Sequence, residues 1–198
     1  MSAARRDGFG ILFVCTGNVC RSAIAEILTR RLLRDRLGAV AADFSVASAG
    51  TESIAGAKMD SRSAAILARY GLGGAAAGFR ARRLDTAMVC AADLVLTAER
   101  EHRRAVVTLE PSALRKAFCL REWGRLLGGI AERDLPGDCV ARARVSVELA
   151  VQQRGSVPYT PAEADAIPDP VRYPPHRHRA SIDLIAAEVR NFAEFLQR

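Results

Sequence analysis

Lysine is scarce in this sequence: of 29 basic residues only Lys58 and Lys116 are lysines, so arginine carries nearly all of the positive side of a +7 net charge. An apolar run long enough to span a membrane is also missing, and the opening MSAARRDGFG has no hydrophobic stretch of the kind a secretion signal needs. These absences exclude a membrane-spanning role and lead to the expectation of a cytoplasmic protein. Five cysteines are too few, and odd in number, for a disulfide scaffold, which fits a reducing compartment where single thiols are reactive or buried. No repeat or low-complexity tract is present, so solenoid and fibrous architectures are excluded. What remains is globular: 198 residues, 49% hydrophobic and 26% charged, enough for one domain with a substantial core. The basic balance favours anionic partners, whether phosphates, acidic peptides or nucleic acid.

Ile11–Val14 is a short continuous apolar run that ends in a glycine turn, the pattern of a buried parallel strand. A helix is expected next, with Ser22 as N-cap and Ile24, Ile27, Leu28 and Leu32 on one face of a segment reaching Leu37. Further strands are expected at Phe44–Ala47, Asp93–Thr97 and Ala117–Leu120. Asp60 is placed to cap a helix that Gly71 ends. Strands alternating with helices predict an α/β fold whose parallel sheet is covered on both faces, with ligands beyond the carboxyl ends of the strands. From Gly128 to Ala166 the pattern loosens, apart from a helical stretch over 138–154, and reads as an insertion or long excursion of the same domain. Arg179–Leu196 reads as a closing amphipathic helix.

The loop after the first strand concentrates the chemistry: Cys15-Thr16-Gly17-Asn18-Val19-Cys20-Arg21-Ser22. Gly17 and Asn18 are residue types that tolerate left-handed backbone, so successive N–H groups can turn inward as an anion nest, with a helix N-terminus aimed at the same point. A cysteine beside a helix N-terminus and a cation is favoured as thiolate, which makes Cys15 the candidate nucleophile. Arg21 offers a planar fork for two phosphoryl oxygens. A cysteine and an arginine at this spacing arise by chance about once in a chain so rich in arginine, and Cys119 and Arg125 are such a case. That second pair has no glycine and encloses Trp123, so Cys119 reads as a core thiol. A zinc site at Cys15 and Cys20 needs further ligands, and the remaining cysteines and histidines are scattered singly, so no metal is expected. Cys20 is placed for a reversible disulfide with Cys15 under oxidation.

At these residues the sequence resembles the low-molecular-weight protein tyrosine phosphatase family, whose signature is V-C-x-G-N-x-C-R-S. The resemblance continues through SAGT (48–51), Asp60-x-Arg62, ADLVLT (92–97) and IPDP (167–170). It implies a three-layer α/β sandwich with a four-stranded parallel sheet, the phosphate loop after strand 1, and hydrolysis of phosphate monoesters, phosphotyrosine in proteins above all, without metal or other cofactor. Cys15 would attack phosphorus, the loop Thr16–Ser22 would bind the phosphoryl group, and inorganic phosphate would be the product. Asn18 would be braced through Ser48, and the Ser22 hydroxyl would help hold the thiolate. On residue chemistry alone Asp169 reads as part of an Asp-Pro turn; the resemblance makes it the general acid, ahead of Asp134 and Asp138.

Departures from the pattern narrow the expectation. Ala23 replaces the usual proline, and Phe79 stands where the family often has a histidine in the serine–asparagine network. The aromatic walls of the cleft are reduced to Ile54 on one side and Val171 and Arg172 on the other, with Tyr173 one step further. Val19 replaces the threonine of members acting on phosphoarginine. Two alternatives stay open: a thioredoxin-coupled arsenate reductase drawing on Cys90, Cys119 or Cys139, and a binding module that holds phosphoproteins without turnover. Nucleic-acid binding lacks an aromatic-basic motif. The arginine-rich segments FRARRL and REHRR read either as a route for acidic substrates or as solvated surface. Oligomeric state is not legible.

Overall fold

The computed structural model describes residues 8–171 and 175–198, the side chains of 175–177 excepted. Strand β1 (Phe9–Cys15) lies at the centre of a sheet in which it pairs in parallel with β2 (Phe44–Gly50) on one side and β3 (Leu94–Thr97) on the other. β3 pairs in parallel with β4 (Ala117–Cys119), so the order is β2-β1-β3-β4. The expected strands are all present, β1 and β2 running further than the apolar pattern suggested.

Burial along β1 is continuous because both faces are covered, yet its side chains divide strictly by parity. Phe9, Ile11, Phe13 and Cys15 join the larger core cluster, and Leu12 and Val14 the smaller. Successive side chains of a strand point to opposite faces, so this division defines the layers. One face is packed by α1 (Arg21–Leu37), α6 (Leu120–Leu127), α7 (Cys139–Arg154) and α9 (Pro175–Gln197), with α2 (Ser61–Arg69) and α3 (Gly73–Gly78) at its margin. The other is packed by α4 (Thr86–Ala91) and α5 (Arg100–Leu109), through Val89 and Val106. The larger cluster is centred on Trp123, which meets Phe118 and Phe192 at ring distances of 5.1 and 5.7 Å. Among the described residues no helix is long and apolar enough to cross a membrane.

Helix α1 departs from the amphipathic expectation. Residues 21–29 are all buried, because this first half of α1 is enclosed by β2 on one side and α9 on the other. Further along it is Leu33 that is buried, at 2% exposure, while Leu32 is only partly covered. Cys20, not Ser22, occupies the N-cap position and makes no side-chain cap. Ser22 is inside the helix and spends its hydroxyl on the Cys15 thiol and the Asn18 amide. Asp60 caps α2 as expected, its carboxylate accepting from the Ser63 N–H at 2.9 Å, and Gly71 follows the helix in left-handed backbone (φ 71°).

Residues 128–166 carry α7, capped by Asp138, and the one-turn α8 (Ala162–Asp165). Ala143 and Ala150 of α7 reach the larger core. Asp165 is 2% exposed and ion-paired to Arg100 of α5 at 2.6 Å and Arg125 of α6 at 2.8 Å. Beyond it the Ile167 N–H donates to Ala98 O at 2.8 Å, just past β3. The chain is thereby returned to the carboxyl end of the sheet, immediately before Asp169.

Candidate active site

In an open parallel sheet the crevice forms where strand order reverses, outside the carboxyl ends. Here that point lies between β1 and β3, and the loop Cys15–Arg21 fills it. Its carbonyls bond outward: Cys15 O accepts from Thr51 N, Thr16 O from Glu52 N, and Val19 O from Asp60 N, each at 2.9 Å, while Cys20 O accepts from Ile24 N at 2.8 Å. In a planar trans peptide the N–H points opposite to its carbonyl, so the amides of Thr16, Gly17, Cys20 and Arg21 face the loop interior. This is the nest the sequence predicted, but its turn is made differently. Asn18 alone among the described non-glycine residues has left-handed backbone (φ 53°), and Gly17 does not. The glycine that the loop cannot replace is Gly50 on β2, where an added Cβ would lie 2.5 Å from Thr16 O and 2.8 Å from Asn18 N.

Asn18 is held by its whole amide. Oδ1 accepts from the Arg82 N–H at 2.8 Å, which fixes the amide orientation, and Nδ2 donates to Ser22 Oγ and Ser48 Oγ, both at 2.8 Å. Ser48 Oγ donates to Glu26 Oε2 at 2.6 Å, and the Arg82 guanidinium closes the ring onto the same carboxylate. Ser22 Oγ stands 2.9 Å from Cys15 Sγ. The chain of polarity runs from a buried carboxylate through two hydroxyls and an amide to the thiol. Phe79, at the position noted for a network histidine, packs in the core, and the brace is carried by Glu26 and Arg82. FRARRL therefore uses one arginine structurally, and Arg103 of REHRR pairs with Glu122 at 2.9 Å, so neither segment is simply solvated surface.

Arg21 is buried, its head meeting groups from three segments. Nη1 donates to the Glu99 carboxylate and to Ile167 O at 3.1 Å; Nη2 donates to Thr16 Oγ1 at 3.2 Å and lies 3.3 Å from Asp169 Oδ2. Thr16 Oγ1 is also 2.9 Å from Nε2 of His102, on α5. Burial, reinforced by the nearby Arg21 charge, pushes the His102 imidazole down to about 4. The ring is therefore neutral at physiological pH. Cys20 is tied to Ser63 Oγ at 2.9 Å, and burial pushes its thiol up to about 12. A disulfide with Cys15 has to draw on a thiol held protonated in this conformation. Cys119 closes β4, fully buried with its thiol pushed up to about 11 by burial, as a core cysteine should be.

Of the cleft residues, Ile54 is 79% and Val171 50% exposed, so neither is an ordinary packing residue. Arg172 and Tyr173 lie outside the described residues. Sequence reasoning missed Glu26, Arg82, Glu99 and His102. Glu99 had a findable signal, two residues past the carboxyl end of a predicted strand. Glu26 and Arg82 had none, since a carboxylate in a helix and an arginine among arginines read as solvated.

A model of low molecular weight phosphotyrosine protein phosphatases matches residues 10–135, more than half of the chain. The chain belongs to that family, and it is an enzyme, a phosphatase. In sequence it is 36% identical over 113 residues to the low molecular weight protein-tyrosine-phosphatase Etp of Escherichia coli K12, covering 57% of this chain and 70% of Etp. In structure it is similar to the YwlE arginine phosphatase of Geobacillus stearothermophilus (TM-score 0.66, 25% identity, 96% of this chain and 93% of that one). A YwlE mutant from Bacillus subtilis shares the fold with TM-score 0.68 at 20% identity, over 96% of this chain and all of that one. The family match ends before Asp169, whereas the fold similarity covers nearly the whole chain.

Proposed function

We propose that the protein hydrolyses aryl phosphate monoesters, phosphotyrosine in proteins above all, in two steps. Cys15 sulfur attacks phosphorus, the ester P–O bond breaks, and Asp169 gives its proton to the leaving oxygen. A water then attacks the cysteinyl-phosphate, Asp169 takes its proton, the S–P bond breaks and inorganic phosphate departs. The Thr16–Ser22 loop binds the phosphoryl oxygens, with Arg21 neutralising the charge that grows on them. Asn18, through Ser48, keeps the loop in shape, and the Ser22 hydroxyl stabilises charge on sulfur.

The observation that carries this reading is the convergence on Arg21. Its guanidinium touches Thr16 of the loop and lies 3.3 Å from Asp169, so cradle, cation and acid share one place. Exposed Ile54 and Val171 offer an aryl group apolar contact with little stacking, which suits phosphotyrosine bound less tightly than between aromatic walls. The similarity to an arginine phosphatase favours phosphoarginine as a second reading; Val19 argues against it, having no hydroxyl to orient the hydrolytic water. The arsenate-reductase reading draws no support from Cys90, Cys119 or Cys139, which sit on α4, β4 and α7 away from the loop in sequence, and the intact set of Cys15, Arg21 and Asp169 argues against the phosphoprotein trap. We also read residues 128–166 as an excursion of a single domain, pinned by Asp165, and the five free cysteines as suited to the cytoplasm.

The test is phosphate release, with EDTA present, from p-nitrophenyl phosphate, a phosphotyrosine peptide and a phosphoarginine peptide, for wild type and Cys15→Ser. Turnover of the first two by wild type alone is expected. Turnover by Cys15→Ser would move the nucleophile elsewhere, and preference for phosphoarginine would replace the substrate class.

A further inference from the structure

Asp169 sits between Pro168 and Pro170, neither of which has a backbone N–H to anchor the loop. Within the loop its own carboxylate accepts from the Val171 N–H at 3.1 Å, which shapes the turn and ties it to nothing else. The ion pair with Arg21 is a weak tether, since Asp169 is 35% exposed at its side chain and partly screened. Ile167 ties the start of the loop to Ala98 and Arg21, and what holds the two prolines beside the carboxylate from outside is α9. Ser181 Oγ donates to Pro168 O at 2.9 Å, and His178 Nδ1 lies 3.1 Å from Pro170 O. The two residues are three apart on one helical face, and each takes one of the two carbonyls that flank the carboxylate.

The imidazole reaches further. A carbonyl only accepts, so Nδ1 carries a proton. Nε2 faces Asp60 Oδ1 at 3.0 Å, Ser63 Oγ at 3.1 Å and Cys20 Sγ at 3.8 Å. Asp60 caps α2, and its N–H donates to Val19 O of the phosphate loop. Burial raises the Asp60 carboxyl, but the hydrogen bonds from Ser63 and the charge and hydrogen bond of His178 outweigh it and hold the group below its ordinary value. His178 is thus a strut between Asp60, which bonds the outer side of the Cys15–Arg21 loop, and the backbone of Pro170 next to Asp169. It is 1% exposed, on a helix rooted in the core by Ile182, Ile185, Val189 and Phe192.

We propose that His178 and Ser181 form a two-point clamp that sets the position of Asp169 over the phosphate loop. They are positioning residues and touch no substrate. The proposal rests on the reading of Asp169 as general acid, whose effect depends on hydrogen-bond reach to the leaving oxygen. Such a clamp matters only where the leaving group needs a proton, and this separates it from a role in stability alone.

The experiment compares kcat/KM on phenyl phosphate, a poor leaving group, with 2,4-dinitrophenyl phosphate, a good one, for wild type, Asp169→Ala, His178→Leu, His178→Asn and Ser181→Ala, each checked for folding by circular dichroism and thermal melting. Asp169→Ala should lose about 10²–10⁴-fold on the poor leaving group and little on the good one. His178→Leu should lose about 10-fold or more on the poor leaving group only, as a partial loss of that same contribution. His178→Asn, which keeps a donor near the Nδ1 position, should recover most of the loss. Ser181→Ala, the mildest change, serves where His178→Leu does not fold and should show the same selectivity in smaller degree. Equal losses on both substrates, with Asp169→Ala still selective, would overturn the clamp and leave the acid in place. An unselective Asp169→Ala would overturn the acid assignment, and the clamp with it.

Discussion

Replacing His102 by Gln tests whether this buried ring is neutral. The side chain is 6% exposed and its imidazole is depressed from 6.5 to about 4, by burial first and the Arg21 charge second. Between those values an unfolded chain takes up a proton that the folded one refuses, so the unfolded state binds more protons and wild-type stability falls as pH drops from about 6.5 to about 4. At roughly 1.4 kcal/mol per pKa unit the full loss is about 3 kcal/mol. Gln stays within reach of Thr16 but cannot titrate. Carboxylates common to both proteins cancel in the difference between them. Urea unfolding at pH 7 and at pH 4 should therefore show the variant gaining about 2–3 kcal/mol on wild type, or on the order of 5–10 °C in melting temperature for a domain of this size. Differences that stay parallel across this range would show that His102 takes its proton in the folded protein, and the reasoning from burial would fail.

Gly50→Ala should fold yet lose up to about 10²-fold in kcat/KM, because its Cβ meets the backbone of Thr16 and Asn18 and displaces the loop; unchanged kinetics would show that β2 can yield. Glu26→Gln leaves Arg82 without its buried carboxylate. It should cost about 2–3 kcal/mol in urea unfolding, less than for a fully buried pair because both arginine partners reach solvent, and a neutral result would mean that the brace does not need the charge. With its thiol at about 12, Cys20 should resist iodoacetamide at pH 7.5 while exposed Cys90 reacts, as read by peptide mass mapping. Labelling of Cys20 at the rate of Cys90 would refute the burial argument.

How much of this was written locally can be read from particular residues. The strand at β1 was legible because burial on both faces requires a run of apolar side chains, and Asp60 was legible as a cap because capping is settled within three residues. The loop Cys15–Ser22 was legible for the same reason: thiol, left-handed turn, cation and helix start are contiguous, so no tertiary information is needed to bring them together. Ser22 shows the limit, since its hydroxyl had a local use as a cap and a tertiary use beside Cys15, and the structure takes the second.

Contacts between distant residues were decided only by the fold. Glu26, Ser48 and Arg82 are spread over 56 positions, and an arginine among 27 carries no local mark of the carboxylate it will meet. The same holds for the two carbonyls beside Asp169, which find their donors on a helix that sequence presents only as an amphipathic closing segment. The local sequence determined the Cys15–Ser22 loop and therefore the chemistry proposed for it. The tertiary structure decided what holds that loop and Asp169 in place, because burial turns charges that read as surface into the fixed points of the site.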